Sequence, residues 1–226
     1  MSTAAVIPIK TNNQRLPGKN TKLLIDKPLY QYVFETIKEC NNIDQIYVDC
    51  SDPSILDIAK DWGFKTILRG KELNTPETSG HDLLNFELNT IEEDIVCQLF
   101  VTLPFIESRT IDRAVDLLRS NKDHSSVLAL YEMHDRFWFK GKDAEVKPIN
   151  HEPSSLVGTQ YMNSIYRESG FYVFRRQAFL KEGCRITKNF IEMLVDSNEC
   201  VDIDTHEDFL YAESLERNRR SADTKV

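Results

Sequence analysis

A polar loop near the N-terminus concentrates positive charge. From Lys10 to Lys22 the chain carries four cations and no acidic residue, although the whole sequence has 36 acidic and 28 basic residues. The loop follows an apolar run that predicts a first β-strand, and α/β sheets bind ligands in loops at the carboxyl ends of their strands. Lysine and arginine there neutralise a polyphosphate, while asparagine, glycine and free backbone N–H groups surround its oxygens. The alternative is a solvated basic loop without a ligand.

A pair of aspartates near the C-terminus is the second candidate for chemistry. Asp202 and Asp204 lie two residues apart at the end of a predicted short strand, where an extended backbone points both carboxylates to one side. Mg²⁺ typically takes one or two carboxylates together with phosphate oxygens and water. In another interpretation Asp204 or Thr205 caps the last helix, and Glu207 or Asp208 completes a capping box. Both can hold, because a cap needs only one of these side chains.

The elements that must position these residues follow an α/β pattern. Apolar β-branched runs alternate with segments of helical period, which predicts a mostly parallel sheet covered by helices. Strands are expected at 4–9, 45–50, 65–68, 95–102, 126–131, 165–174 and 200–203. Helices are expected at 28–40, 54–62, in the second half of 75–92, at 108–120, near 176 and from 205 onward. Segment 132–163 breaks the pattern and holds too many aromatic residues for a flexible tether, which indicates an insertion that packs against another surface.

Composition excludes several classes of protein. The 226 residues carry a formal charge of -8, and this acidic surplus argues against a surface for nucleic acid or anionic membranes. Five scattered cysteines, never spaced as CxxC, indicate reduced thiols rather than disulfides or a zinc site. The N-terminus lacks the charged region of a signal peptide, and no stretch approaches the ~18 to 20 apolar residues of a membrane helix. A cytoplasmic protein is expected.

The common nucleotide and hydrolase motifs are missing from the sequence. Its eight glycines never occur as GxG, which excludes the dinucleotide fingerprint. The stretch around Gly18 and Lys19 is not a P-loop, because Asn13 stands where the first glycine is required and Asn20 where Ser or Thr is required. Neither HExxH nor GxSxG occurs.

Four segments, in order, resemble the acylneuraminate cytidylyltransferase family, the CMP-sugar-acid synthetases. The first is similar to the family signature IPARxxSKRxPGKN, and the last closely matches the ending IDIDTxED. Between them lie matches to LRPxEL…ASS and to TQDL…YxENGAxYxF. In this chain the matching segments are 6–20, 68–73 with 78–79, 159–160 with 166–174, and 201–208. The resemblance covers nearly the whole chain, and its first and last motifs are the most specific.

This resemblance implies a fold and a reaction. The fold would be the Rossmann-like α/β domain of nucleotide-diphospho-sugar transferases, spanning residues 1–226 as one domain. The segment 132–163 would be a dimerisation insertion, so a homodimer is expected. In the reaction, a hydroxyl of an acidic sugar of the 2-keto-3-deoxy type attacks the α-phosphate of CTP and releases pyrophosphate. Such chemistry needs charge neutralisation on the triphosphate and a divalent cation, Mg²⁺ or Mn²⁺.

The resemblance also assigns roles to individual residues. Arg69 and Ser79 match family positions that read the cytidine, so the expected nucleotide-binding residues are Lys10, Asn12, Arg15, Lys19, Asn20, Arg69 and Ser79. The expected catalytic residues are Arg15, Lys19 and Asp204. The expected metal ligands are Asp202 and Asp204, and the expected substrate-binding residues are Thr102 and Gln160.

The segment after the central strand departs from the family pattern. Family members carry Gln-Pro-Thr-Ser-Pro-Leu-Arg there, whereas Phe100 to Ile106 keep only Thr102 and Pro104. A site that grips an acid through the lost amide and guanidinium would lose its partners. Gln98, two residues earlier on the same strand face, would be a weak substitute for the amide, because two residues along a strand displace it by roughly 6 to 7 Å. Two explanations remain open: a different acceptor, such as a less polar acid or a phosphonate, or a noncatalytic nucleotide-binding protein derived from this family.

Overall fold

A seven-stranded sheet with helices on both faces forms the centre of the protein. The computed structural model describes residues 1–75, 77–143, 145–155 and 157–223. Its strands are Thr3–Ile9 (β1), Leu23–Leu24 (β2), Lys27–Pro28 (β3), Gln45–Cys50 (β4), Lys65–Leu68 (β5), Ile95–Gln98 (β6), Ser126–Met133 (β7), Trp138–Lys140 (β8), Val146–Pro148 (β9), Ile165–Arg175 (β10) and Phe190–Leu194 (β11). Its α-helices are Leu29–Lys38 (α1), Pro53–Asp61 (α2), Gly80–Glu87 (α3), Ser108–Ser120 (α4), Arg176–Glu182 (α5) and His206–Asp223 (α6).

The order of the strands creates a topological switch beside β1. The sheet runs β11-β7-β10-β6-β1-β4-β5, so the chain leaves β1 first towards β4 and later returns to β6 on the other side. Only β10 in this sheet runs antiparallel to its neighbours, and the remaining pairs are parallel. The loops that follow β1 and β6 therefore emerge at the same edge, where open α/β sheets bind ligands. The predicted mostly parallel sheet is confirmed.

Three apolar clusters hold the layers together. One face of the sheet packs on α1, α2 and α4, and the other face packs on α3 and α5. A third cluster joins the small β2–β3 hairpin and α1 to the C-terminal helix, with Ile203 and Phe209 fully buried in it. This last cluster fixes the segment that carries the two aspartates beside the carboxyl edge of the sheet.

Three strands differ from the sequence predictions. The central strand ends at Gln98 rather than at residue 102, because the chain folds into turns there and Leu103 N–H donates to the Phe100 carbonyl at 3.0 Å. The predicted strand 200–203 is absent, because Ser197–Cys200 forms a 3₁₀ turn and Ile203 N–H donates to the Thr102 carbonyl at 2.9 Å. Strand β11, which pairs with β7 in parallel, was not predicted at all.

The insertion forms a separate small hairpin. Within 132–163, strands β8 and β9 pair only with each other, as a two-stranded antiparallel sheet. The described part of the insertion exposes six large apolar side chains: Trp138, Phe139, Val146, Ile149, Val157 and Tyr161. No helix in the described part of the chain is both long and apolar enough to cross a membrane.

Candidate functional site

A cavity of about 350 Å³ lies at the carboxyl edge of the sheet, at the switch beside β1. Its walls come from the loop after β1, the turns after β6, helix α3 and the segment before α6. Seven residues predicted from the sequence line it: Lys10, Asn12, Arg15, Lys19, Asn20, Thr102 and Asp204. The topology thus brings the cation-rich loop and one of the two aspartates to a single cavity.

The loop after β1 is held in shape by a backbone turn at Gly18 and by a side-chain hydrogen bond of Asn20. Gly18 has φ 68°, a left-handed conformation that glycine adopts without steric cost, and it starts the 3₁₀ turn Lys19–Thr21. The Asn20 side chain donates from Nδ2 to the Lys10 carbonyl at 2.7 Å and so ties the two ends of the loop together. Asn20 is buried, and its Oδ1 has no hydrogen-bond partner among the described residues. That oxygen is a spare acceptor in the wall of the cavity.

Lys19 joins the loop to the C-terminal aspartate. Its side chain is buried, with the residue only 6% exposed, and Nζ donates to the Ile203 carbonyl at 2.6 Å and to Asp204 Oδ1 at 2.8 Å. Arg15 reaches the other oxygen of the same carboxylate, with Nη2 2.7 Å from Oδ2, but its side chain is 69% exposed. Asp204 therefore has one fixed cationic partner and one that is free to turn towards a ligand.

Asp202 lies beside Asp204 at a smaller neighbouring cavity. This cavity, about 230 Å³, is lined by both aspartates together with Thr102, Phe100 and Tyr172, among others. Burial raises the pKa of Asp202, and a hydrogen bond from the Thr102 side chain opposes that rise. The two carboxylates face the same space although their backbone is irregular rather than a strand.

The cap of the last helix does not involve the Asp204 side chain. Thr205 Oγ1 accepts from Asp208 N–H at 3.2 Å and donates to Asp208 Oδ2 at 2.9 Å. Asp208 Oδ2 also accepts from the backbone N–H groups of Asp204 and Thr205. This is a capping box between Thr205 and Asp208, so the cap and a ligand role for Asp204 are compatible.

Three of the predicted site residues do not line either cavity. Arg69 is fully buried and donates to the Asp49 carboxylate, with Nη2 to Oδ2 at 2.7 Å. Ser79 caps α3, where its hydroxyl and the Asp82 carboxylate form a capping box. Gln160 is exposed in the turn Thr159–Tyr161 of the insertion. Among the described residues that line the two cavities, none of these three side chains is found.

Sequence reasoning missed a cluster around Phe100. The Arg185 guanidinium lies 3.5 Å from the ring centroid of Tyr172 and 5.9 Å from that of Phe100. Its Nη1 donates to Gln98 Oε1 at 2.7 Å. Arg185 belongs to no recognisable motif, and its loop leads into β11, the strand that the sequence pattern did not reveal.

Behind the loop lies a group of buried ionisable side chains, Asp49, Arg69 and Glu87. Arg69 pairs with Asp49, whereas neither oxygen of Glu87 has a hydrogen-bond partner among the described residues. Burial, followed by the neighbouring Asp49 carboxylate, raises the pKa of Glu87 well above its usual value. Glu87 is therefore protonated in the native protein at pH values where it ionises in the unfolded chain.

The stability of this cluster is expected to depend on pH. Since the native pKa of Glu87 is raised, its protonation stabilises the fold below the unfolded pKa, and this contribution is lost as the pH rises through the native value. The Glu87→Gln side chain cannot ionise, so the variant escapes this loss. Its free energy of unfolding minus that of the wild type should therefore increase by about 1 to 3 kcal/mol from pH 5 to pH 8. Urea unfolding at several pH values measures this difference. The exposed Glu92→Gln is the control, and a pH-independent difference for Glu87→Gln would contradict the argument.

The fold and the cavity together define a class: an α/β protein with a cation-lined ligand site at its switch point. Solved structures share this fold. A CMP:2-keto-3-deoxy-manno-octonic acid synthetase complexed with CTP superposes with a TM-score of 0.72 at 18% identity, covering 97% of this chain and 100% of that one. A 4-diphosphocytidyl-2C-methyl-D-erythritol synthase from Anaerococcus prevotii gives 0.68 at 14% identity, with 96% of each chain covered. The expected Rossmann-like nucleotidyltransferase fold is confirmed.

Sequence comparison places the chain in a family. A sequence model of the cytidylyltransferase family matches residues 4–219, and the protein belongs to this family. It is 26% identical to N-acylneuraminate cytidylyltransferase A of Danio rerio over 89% of this chain but only 48% of that protein, so it spans about half of that relative's length. It is 28% identical to CMP-N,N'-diacetyllegionaminic acid synthase of Legionella pneumophila, over 95% of this chain and 96% of that one. A pseudaminic acid cytidylyltransferase of Campylobacter jejuni is 24% identical over 98% of this chain and 100% of its own length.

Proposed function

We propose that the protein transfers CMP from CTP to a hydroxyl of an acidic sugar of the 2-keto-3-deoxy type, releases pyrophosphate, and requires Mg²⁺ or Mn²⁺. The observation that carries this proposal is the Lys19–Asp204–Arg15 arrangement at the switch point of a chain from the cytidylyltransferase family. Relatives of full matching length are named for legionaminic and pseudaminic acids. The five cysteines carry free thiols, which fits the cytoplasmic location that we also propose.

The cation-rich loop supplies the charge that a triphosphate needs. In phosphoryl and nucleotidyl transfer the protein mainly positions the reacting groups and neutralises charge on the phosphate oxygens. Lys19 is already fixed by the Ile203 carbonyl, so it presents its charge without reorganisation. Arg15 is exposed and exchanges Asp204 for a phosphate oxygen when the nucleotide binds. Lys10 and Asn12 line the same cavity, and the spare Asn20 Oδ1 accepts from a donor on the nucleotide.

The two aspartates fit a hard divalent cation. Asp202 and Asp204 offer carboxylate oxygens to one cavity, which Thr102 also lines. In the described part of the chain no group of three or more His, Cys, Asp or Glu side chains forms a complete protein cage. Mg²⁺ usually binds through one or two carboxylates plus phosphate oxygens, so this donor set suits an ion that arrives with the nucleotide. When bound, the ion would neutralise charge on the triphosphate.

The exposed hairpin supports a homodimer. Trp138, Phe139 and Val146 expose apolar surface on a two-stranded sheet that does not pair with the main sheet, and isolated hairpins are marginally stable in water. Clustered exposed apolar side chains of this kind mark a protein interface. A second copy of the chain is the partner that the family resemblance implies.

Mutation of the hairpin tests this dimer. The double substitution of Trp138 and Phe139 by serine is expected to raise the dimer dissociation constant by at least about 100-fold, because truncating two buried aromatic anchors typically costs 2 kcal/mol or more each. Sedimentation velocity across a dilution series measures the change. Lys122→Ser, at an exposed lysine outside the hairpin, should leave the dimer intact. A monomeric wild type, or an equally stable double variant, would contradict the proposal.

One assay tests the catalytic proposal as a whole. Pyrophosphate release is measured with each of the four nucleoside triphosphates, with Mg²⁺ or Mn²⁺, and with a panel of 2-keto-3-deoxy sugar acids and phosphonates. We expect release only with CTP, a divalent cation and a sugar acid. Preference for another triphosphate would remove the cytidine assignment. CTP-dependent thermal stabilisation without release on any acceptor would support instead a noncatalytic nucleotide-binding protein, the function that the altered segment from Phe100 to Ile106 also permits.

A further inference from the structure

Arg185 places a guanidinium against the aromatic wall of the site. It lies over the Tyr172 ring at 3.5 Å from the centroid and donates from Nη1 to Gln98 Oε1 at 2.7 Å. Phe100, 5.9 Å from the same guanidinium, lines both cavities, and Tyr172 lines the smaller one with the two aspartates. Arg185 itself lines neither cavity, but its guanidinium lies against both of these aromatic residues, which do.

This guanidinium has no carboxylate partner among the described residues. The nearby Glu168 carboxylate instead accepts from the Tyr172 hydroxyl at 2.7 Å. Burial is the main cause that raises the pKa of Tyr172 to about 12, so the phenol stays neutral and does not balance the charge of Arg185. A cation without an internal counter-ion attracts an anion from outside the chain.

Two neighbouring features also favour an anion at this place. Gln98 is fully buried, and its Nε2 has no hydrogen-bond partner in the described part of the chain, so a second donor beside Arg185 lacks an acceptor. Nη1 of Arg185 also lies 3.6 Å from the position that a Cβ on Gly80 would take, at the start of α3. The start of a helix carries partial positive charge, and the one carboxylate of that turn, Asp82, is bonded to Ser79.

We propose that Arg185 binds the carboxylate of the acceptor acid and so replaces the guanidinium that the family pattern places after the central strand. The planar fork of an arginine matches a carboxylate with two parallel N–H···O bonds, and the stacked Tyr172 ring holds that fork in a fixed plane. The aromatic wall formed by Phe100 and Tyr172 then selects an acid with an apolar face beside its carboxylate. This assignment rests on the proposed CMP transfer and names the residue that chooses its acceptor.

Steady-state kinetics of two variants test the assignment. From N-acetylneuraminic, N,N'-diacetyllegionaminic, pseudaminic and 3-deoxy-manno-octulosonic acids, the acid that the wild type uses best serves as the probe. Arg185→Gln should raise KM for this acid about 10- to 100-fold, the effect typical of removing a charge-assisted hydrogen bond, while KM for CTP changes less than twofold. Arg185→Lys keeps the charge but not the planar guanidinium. Its KM for the acid should lie between the values of the wild type and of Arg185→Gln. Arg217→Gln removes one exposed arginine from α6 and should behave as the wild type.

The carboxamide of the same acid separates recognition from a structural role. The wild type should use the amide much less well than the acid, whereas Arg185→Gln should lose most of this discrimination. An unchanged KM for the acid, or a rise in KM for CTP instead, would overturn the assignment while leaving the proposed function standing. If Arg185→Gln did not fold, the Arg185→Lys value would decide by the same criterion. No turnover of any acid by the wild type would overturn both proposals together.

Discussion

Lys19→Met is expected to lower kcat for pyrophosphate release by about 10²- to 10³-fold, the usual cost of removing one preorganised group that stabilises transition-state charge. The side chain is buried and bonded to the Ile203 carbonyl and to Asp204, so its charge is held in one position. Methionine keeps the length and the apolar stem of lysine but removes the charge. Stopped assays with saturating CTP and acid measure kcat directly.

The controls for this prediction come from the same loop. Lys22 is exposed, lies 4.6 Å from the centroid of the Phe209 ring and does not line the cavity, so Lys22→Met should keep kcat within about threefold. Lys19→Met also leaves the buried Ile203 carbonyl and the partly exposed Asp204 carboxylate with one donor fewer, at a cost of about 1 to 3 kcal/mol of stability. Assays are therefore run well below the melting temperature, and Lys19→Arg, which keeps the charge, should retain more activity than Lys19→Met. Near-normal turnover by Lys19→Met would remove Lys19 from the catalytic machinery.

The features that the sequence revealed are those with a local signature. The loop from Lys10 to Lys22 stood out because its charge opposes that of the whole chain, and its place after β1 followed from one strand prediction. The capping box of Thr205 and Asp208 was visible as a spacing of three residues, and the structure shows that it leaves the Asp204 side chain to the cavity. Patterns of this kind depend only on residues that are neighbours in the sequence, so they can be recognised without knowing the tertiary structure.

The features that the sequence did not reveal depend on distant contacts. The central strand ends at Gln98 because Leu99 makes the last ladder bond with Val6 and the chain then turns, although its apolar character continues to Val101. Arg185 reaches the site through a loop that only β11 positions, and β11 exists because it pairs with β7 from a position far along the chain. Propensity carries no information about such pairings.

The charge distribution explains how an acidic chain can receive a triphosphate. Asp204 pairs with Lys19 and Arg15, two of the three cations among the described residues that line the cavity, so much of the positive charge of the loop is balanced within the protein. In the proposed reaction, a triphosphate would offer Arg15 a phosphate oxygen, while Lys19 keeps its bond to the Ile203 carbonyl. Arg15, with its side chain 69% exposed, can change partner at little cost, whereas Lys19 is buried and held by two hydrogen bonds.

Asp204→Asn is expected to lower kcat by about 10³-fold and to weaken the response to Mg²⁺ by more than tenfold, because it removes the charge that orients Lys19 and Arg15 and a hard ligand for the cation. Asparagine keeps the shape of the side chain, and the cap of α6 belongs to Thr205 and Asp208, so the melting temperature should change little. Titration of Mg²⁺ at fixed CTP, followed by pyrophosphate release, measures both effects.

Asp208→Ala is the matched control for Asp204→Asn, because it changes a carboxylate on the same turn that serves the cap. It should lower the melting temperature by about 2 to 4 °C, as the loss of a helix cap worth roughly 1 kcal/mol does in a chain of this size, and leave kcat within twofold. The two variants then show opposite patterns, one losing turnover without stability and the other losing stability without turnover. If Asp204→Asn instead destabilised the protein and kept its activity, Asp204 would be a structural residue and not a ligand of a catalytic cation.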